Sequence, residues 1–142
     1  MKDKVFMAIL EAETAHWEQA RKGFQSLNLT DAQPKVLYVM RVMEGCVQKE
    51  LAEVCEIKPS SMTVLLERMV KAGYIRKEET KVSGGKRAYR IFFTEMGRTL
   101  SDQIDVIIED LERKSLKGFS EEEREQFFSL LGRVSDNLRM EK

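Results

Sequence analysis

Basic and hydroxyl side chains gather in the middle of this 142-residue chain. Two serines and a threonine follow Pro59, and lysines and arginines surround the pair Gly84 and Gly85. Hydroxyl groups can hydrogen-bond to phosphates or to base edges, and lysine or arginine side chains neutralise phosphates. This is the chemistry of binding rather than of catalysis, and it depends on the elements that present these side chains.

Two short helical patterns joined by a tight turn precede a hairpin pattern in this region. The helices are predicted over Gln48–Cys55 and Pro59–Ala72, because proline suits a first helical position and Gly73 ends the second helix. Aromatic and β-branched residues predict strands over 74–78 and 88–93, joined by the glycine pair. A helix-turn-helix followed by such a wing presents one helix to a DNA groove and a loop to the DNA backbone.

The outward face of the second short helix is the predicted DNA-reading surface. At about 100° per residue its large apolar residues share one face. We expect that face to pack inward; it holds Met62, Leu65, Leu66 and Met69. Val64 falls on the polar face, where its methyl groups can contact a thymine methyl; the alternative is an ordinary surface helix. In this helix and the wing, the residues predicted to contact double-stranded DNA are Lys58, Ser60, Ser61, Thr63, Val64, Lys71, Lys86, Arg87 and Arg90.

Positive charge is concentrated around the wing although the net charge of the chain is zero. Residues 46–98 hold 11 lysines and arginines against 7 acidic residues, whereas residues 99–142 hold 7 against 11. A localised basic region is the electrostatic footprint of phosphate binding. The glycines let the wing approach a DNA backbone closely, and an arginine at its tip can enter a narrow minor groove.

Helix-start signals predict the remaining helices. Thr30 and Gln33 form a predicted capping box, in which the Thr30 hydroxyl accepts from the Gln33 N–H and Gln33 reaches back. Thr94 is predicted to cap a helix from Glu95 to about residue 117, and Ser120 opens the last helix with a second capping box. The last helix is expected to bury its apolar residues Phe127, Phe128, Leu130, Leu131, Val134 and Leu138.

The flanking helices carry more apolar surface than a small winged-helix core can cover. The first, from about Val5 to Leu27, repeats apolar residues at steps of four and three, which is typical of a seam against another long helix. We therefore predict a single mainly α domain over residues 1–142 with a small β-hairpin wing. A winged helix-turn-helix at about 30–97 would dimerise through helices at about 1–28 and 98–142.

Other function classes find little support in the sequence. No apolar run approaches the roughly 20 residues of a membrane span, and the start lacks a signal peptide, so a cytoplasmic location is expected. His16, the only histidine, has no catalytic partner nearby; we expect neither an enzyme nor a metal or other cofactor. Cys46 and Cys55 are both predicted to be small buried residues; the alternative is that one of them is a redox-sensing thiol.

Segments along nearly the whole chain resemble the MarR (multiple-antibiotic-resistance) family of bacterial winged-helix transcriptional regulators. Residues 29–33, Leu-Thr-Asp-Ala-Gln, resemble the opening of that family's second helix, and residues 50–69 resemble its helix-turn-helix. Residues 71–76, Lys-Ala-Gly-Tyr-Ile-Arg, resemble the exit into the wing. Residues 86–91 and 93–97 resemble the returning strand and the start of the next helix.

The resemblance implies a homodimeric repressor, rather than an activator, of a palindromic operator. A small molecule, often phenolic or aromatic, would bind between the dimer region and the DNA lobes and release the DNA. His16, Trp17, Met40 and Met43 are candidates to line such a pocket, although these residue types at helical spacing more often form core. The alternatives are a winged-helix protein-interaction module without DNA binding and a thiol-based redox-sensing regulator. Redox-sensing relatives typically carry their cysteine in the first helix, which here has none.

The chain departs from the family pattern at four positions. Glu56 stands where the family often has glycine, and Lys58 where aspartate or serine commonly caps the reading helix. Val64 replaces a frequent arginine, so bidentate readout of guanine is not expected there. Gly85 replaces an acidic residue that usually braces a wing arginine, which predicts a less firmly held wing.

Overall fold

The computed structural model describes residues 3–30 and 32–140. Within them, helices and a two-stranded antiparallel hairpin follow in the order α1–α2–α3–α4–β1–β2–α5–α6. The bounds are α1 Val5–Gln25, α2 Gln33–Met43, α3 Gln48–Cys55, α4 Pro59–Ala72, β1 Ile75–Lys81, β2 Arg87–Phe93, α5 Glu95–Ser115 and α6 Glu121–Met140. None of the helices in these described ranges is long and apolar enough to cross a membrane.

The core lies in the winged-helix region, where α2, α3, α4 and the hairpin meet the middle of α5. The four apolar residues of α4 that were predicted to face inward are all buried, which confirms the predicted inward face of this helix. The helix α1 contributes Ala20 and Phe24 to the core, and α5 contributes Ile104 and Leu111. No residue of α6 in the described part of the chain is buried.

A buried serine joins α5 to α2. Ser101 is fully buried, and its hydroxyl donates to the carbonyl of Leu37 at 2.9 Å and accepts from Nη1 of Arg41 at 3.1 Å. Arg41 also pairs with Asp102 at 2.8 Å. Because the hydroxyl of Ser101 is satisfied on both sides, it can be buried without the penalty of an unpaired polar group. This contact fixes the long helix α5 against the winged-helix core.

The helix-start predictions hold at two of three sites. Ser120 and Glu123 form the reciprocal capping box, at 2.9 and 3.0 Å, and the Thr94 hydroxyl accepts from the Gly97 N–H at 3.1 Å. The box at Thr30 is only half formed, so that prediction is wrong in part. Gln33 accepts from the Thr30 N–H at 3.3 Å, but the Gln33 N–H binds the Thr30 carbonyl instead of its hydroxyl. The reason is that α2 begins later, with Ala32 as its flanking residue.

The apolar residues of α6 are not buried within this chain, contrary to the sequence prediction. Five of the six predicted residues are between 41% and 67% exposed: Phe127, Phe128, Leu130, Leu131 and Leu138. Val134 is half-buried. In α1, Phe6 is 77% exposed and Trp17 is 47% exposed. Helical periodicity correctly placed the apolar residues of each helix on one stripe, but nothing in the part of the chain that the structure describes covers these stripes.

Candidate nucleic-acid interface

The outward face of α4 is open to solvent and carries small polar and apolar side chains. Ser60, Ser61 and Val64 are exposed, Val64 by 50%. They border a shallow depression of about 470 Å³. Arg68 borders it too, although it was not among the predicted contacts; its spacing of four from Val64 and seven from Ser61 is the signal that could have identified it. This surface offers hydroxyl, methyl and guanidinium groups to a partner.

The basic residues at the two ends of α4 lie on the surface. Lys58 precedes the helix in extended conformation and provides no side-chain cap, and Pro59 occupies the first turn. Lys71 lies exposed in the last turn, before Gly73 ends the helix with a φ of 84°. Both lysines are therefore free of the core and can reach an anion beside the helix.

Thr63 is exposed, but its hydroxyl is hydrogen-bonded within the helix-turn-helix. Its hydroxyl donates to the carbonyl of Pro59 at 3.1 Å and accepts from the side-chain amide of Gln48 at 3.1 Å. Gln48 is the first residue of α3, so this chain of hydrogen bonds fixes the start of α3 against the start of α4. Thr63 thereby orients α4. No local sequence signal predicts its bond to Gln48, which lies 15 residues earlier.

The wing arginine Arg87 is braced from the opposite strand. Its Nε lies 3.0 Å from a carboxylate oxygen of Glu79, and the two strands pair so that Lys81 lies opposite Arg87. Arg87 therefore has an acidic partner although Gly85 stands at the family's acidic position; how firmly the wing is held stays a prediction. Gly84 and Gly85 have φ values of 81° and 72°, in the left-handed region that residues with a β-carbon rarely adopt. An acid at that position would be strained, and Glu79 supplies the carboxylate instead.

Arg90, predicted as a DNA contact, fastens the wing to the body. Its Nη1 donates to the carbonyl of Gly45 at 2.8 Å, and its backbone forms an isolated bridge with Val47. The neighbouring Ile91 also accepts from the Gly45 N–H at 2.8 Å. Lys86, by contrast, is exposed and lies immediately before β2. The structure thus separates a basic tip at Lys86 and Arg87 from a structural arginine at the base.

A carboxylate at the end of α2 ties together the wing and α5. Glu44 accepts from the Phe93 N–H at 2.9 Å and from Nη2 of Arg98 at 3.0 Å. Gly97 lies so close to the carbonyl of Tyr74 that a β-carbon there would be 1.8 Å from that oxygen. The sequence identified Glu44 only as a helix end, because its partners lie about fifty residues away.

Comparison with known proteins shows which family the winged-helix region resembles. Residues 27–85, which span α2 to the tip of the wing, match the family model described as MarR family. Along 117 residues the chain is 29% identical to the HTH-type transcriptional regulator YybA of Bacillus subtilis, covering 81% of this chain and 75% of that protein. The winged-helix part of the chain is therefore similar to the MarR family. MarR-family transcriptional regulators are DNA-binding and not enzymatic, in agreement with the sequence prediction.

Solved MarR-family structures share this fold over nearly the whole chain. A MarR-family regulator from Listeria monocytogenes, complexed with a 26mer DNA, superposes with a TM-score of 0.80 at 25% identity, covering 97% of this chain and 90% of that one. A mutant MarR from E. coli, complexed with operator DNA, superposes with a TM-score of 0.75 at 23% identity, covering 89% and 90% of the two chains. The predicted fold, mainly helical with a hairpin wing, is confirmed.

The residues predicted to bind a ligand lie in different environments in the structure. Trp17 lines a cavity of about 230 Å³ between α1 and the start of α2, together with Arg21 and Thr30. Met40 is fully buried in the core, Met43 is half-buried and His16 is exposed, and none of these three lines that cavity. Only the position of Trp17 suits contact with a small molecule there.

The environments of Cys46 and Cys55 favour the neutral form of both thiols. Cys55 is buried, and burial raises its pKa to about 11. Cys46 is half-buried rather than buried as predicted; burial, and then the nearby carboxylate of Glu50, raise its pKa. Because the thiolate is the form that reacts with oxidants, both sites are poorly suited to redox sensing.

Among residues 3–30 and 32–140, no three His, Cys, Asp or Glu side chains form a group that could hold a metal ion.

Proposed function

We propose that this protein is a homodimeric, cytoplasmic transcriptional repressor of the MarR family that binds a palindromic operator and is released by a small molecule. The observation that carries DNA binding is the exposed hydroxyl and methyl face of α4, followed in the chain by a basic wing whose tip is open. Support comes also from the two structural relatives complexed with DNA, which share this fold.

The internal hydrogen bonds divide the proposed DNA contacts into two groups. Ser60, Ser61 and Val64 are free to meet base edges in a major groove. The lysines Lys58, Lys71 and Lys86, together with Arg87, are exposed and suit phosphate contacts. Thr63 and Arg90 are exposed as well, but their hydrogen bonds join different elements, so we assign them to positioning the helix and the wing. In the described part of the chain, Arg87 pairs only with an exposed carboxylate of the same hairpin and stays among the proposed phosphate contacts.

A second copy of the chain is the proposed cover for the apolar stripes of α1 and α6. Exposed phenylalanines and leucines of this number are unusual on a monomer and resemble the half-core of an obligate dimer. Leu131→Glu should give a smaller species in size-exclusion chromatography with light scattering, because it places a charge in that stripe. Ser129→Glu, on the polar side of α6, is the matched control and should remain dimeric. A dimer that survives Leu131→Glu contradicts this interface.

Operator binding is tested with a fluorescent duplex from upstream of the protein's own coding region. Fluorescence anisotropy should show tighter binding to this duplex than to a scrambled one, with affinity falling steeply as salt rises. A winged-helix module that binds only proteins would show no salt-dependent affinity for either duplex. Ser61→Ala should change the preference between duplexes, since hydroxyls at base edges carry sequence information; equal losses on both duplexes would count against that role.

The cavity beside Trp17 supports the proposed release by a small molecule. The indole ring offers an aromatic wall, and Arg21 and Thr30 offer polar groups to a carboxylate or hydroxyl. Aromatic acids should raise the melting temperature of the protein and lower its affinity for the operator duplex. Trp17→Ala should weaken both effects together, and a variant that responds as the parent does would exclude this cavity.

A further inference from the structure

The turn between α3 and α4 is tied to the far end of the C-terminal helix by one ion pair. The Glu56 carboxylate accepts a hydrogen bond from Nη2 of Arg139, which lies in the last turn of α6. Among residues 3–30 and 32–140, no other hydrogen bond or ion pair joins α6 to the elements from α1 to α5. This pair is therefore the polar link between a helix that exposes an apolar stripe and the motif that presents the reading helix.

Glu56 occupies a backbone position that suits glycine. Its φ of 55° and ψ of 46° are left-handed, and the Ile57 N–H bonds back to the Ala52 carbonyl at 3.0 Å. The helix α4 ends in the same way, but there Gly73 is the left-handed residue, and the Tyr74 N–H bonds back at 3.0 Å. A side chain with a β-carbon is disfavoured in this conformation. An unfavourable residue held in place points to a use for its side chain.

The turn sets where the reading helix begins. Lys58 lies two residues after Glu56, and Ser60 lies four residues after it. A displacement of Glu56 therefore moves the N-terminal end of α4. We propose that Arg139 is a positioning residue for DNA binding, and that the Glu56–Arg139 pair couples the packing of α6 to the placement of α4. The proposal rests on the proposed DNA-binding homodimer, in which a second copy covers α6 and so decides where Arg139 lies.

The effect is expected to be modest and sensitive to salt. The two side chains are 59% and 67% exposed, and exposed ion pairs contribute little each. A homodimer would contain two such pairs, so losing both should weaken operator binding by about three- to tenfold at low salt. At high salt the difference from the parent protein should shrink, because screening weakens the pair in the parent as well.

The test compares Arg139→Ala with Arg133→Ala, which removes another exposed arginine of α6 that has no ion pair among the described residues. Amide hydrogen exchange without DNA should become faster at residues 56–60 in Arg139→Ala and stay parental in Arg133→Ala. Operator affinity should fall only in Arg139→Ala. The double variant Glu56→Arg with Arg139→Glu restores opposite charges and should recover both readouts, whereas each single reversal should lose them.

Glu56→Gly distinguishes the effect of the Glu56–Arg139 pair from the effect of the left-handed backbone at residue 56. It removes the carboxylate but relieves the left-handed conformation, so the protein should stay folded while the turn exchanges as fast as in Arg139→Ala. Parental exchange and parental affinity in Arg139→Ala would overturn the coupling while leaving DNA binding intact. The coupling would also be overturned if the Glu56→Arg, Arg139→Glu double variant failed to recover parental exchange and parental affinity. A parent protein that binds no DNA would overturn the proposed function and the coupling together, which distinguishes the two failures.

Discussion

Replacing Arg87 with alanine tests the wing most directly. Arg87 is 79% exposed and its partner Glu79 is 53% exposed, so their pair should contribute at most about 1 kcal/mol to the free energy of unfolding. The folded protein should therefore survive the change. If the guanidinium contacts a phosphate, each lost contact makes the slope of log K against log salt shallower by about 0.9. A homodimer has two wings, so the expected change in slope is about 1.8.

This slope corresponds to a measurable difference in affinity. Between about 50 and about 200 mM salt, the parent should lose about twelvefold more affinity than Arg87→Ala. Fluorescence anisotropy titrations at several salt concentrations give both slopes, and random duplex should be affected as much as the operator, because phosphates carry no sequence information.

Glu79→Gln is the matched control for this experiment. It removes the carboxylate partner but leaves the guanidinium, so the salt slope should stay parental, and affinity should be equal or slightly higher because Arg87 no longer has to leave an ion pair. An unchanged slope in Arg87→Ala would refute the phosphate contact. A loss in Glu79→Gln as large as in Arg87→Ala would show instead that the pair shapes the wing and that Arg87 does not itself meet DNA.

Three further predictions follow from single contacts. Gly97→Ala should lower the free energy of unfolding, measured by urea denaturation, by about 2–3 kcal/mol, because the new methyl group collides with the backbone oxygen of Tyr74. Gly132→Ala is the control: a β-carbon there meets nothing, so the free energy of unfolding should rise by about 0.5–1 kcal/mol. Arg90→Ala should lower the free energy of unfolding by about 1 kcal/mol, because it removes the hydrogen bond from the guanidinium to the Gly45 carbonyl. The slope of log K against log salt should stay parental, and a shallower slope would show that Arg90 does contact DNA. Cys55 should resist thiol reagents in the native protein at pH 8. Its pKa is raised from 9.0 to about 11, so the unfolded chain loses this proton first and stability should fall as pH rises from about 9 to about 11; rapid labelling of native protein would contradict this burial.

The helix-turn-helix could be predicted closely because its signals are local. Pro59 and Gly73 delimit α4, and the four inward residues repeat within a few positions of one another. The contacts that position the site could not be predicted in this way. Arg87 meets Glu79 through the register of the hairpin, and Arg90 meets a carbonyl 45 residues away. Two residues of the same type, three positions apart, thus have different partners, which only the folded wing reveals.

The mistaken burial prediction for α6 has a different cause, since its periodicity was read correctly. Five large side chains on α6 are roughly half exposed. Burying their exposed surface against a second chain should stabilise the dimer by about 1 kcal/mol for each side chain, or about 10 kcal/mol for the two chains together. Association costs about 4–15 kcal/mol in lost freedom of motion, so α6 alone would come close to balance. The exposed residues of α1, such as Phe6 and Trp17, are then needed to make the interface favourable. A stable dimer therefore requires both terminal helices, and Phe6→Ala should weaken it even though Phe6 lies far from α6 in sequence.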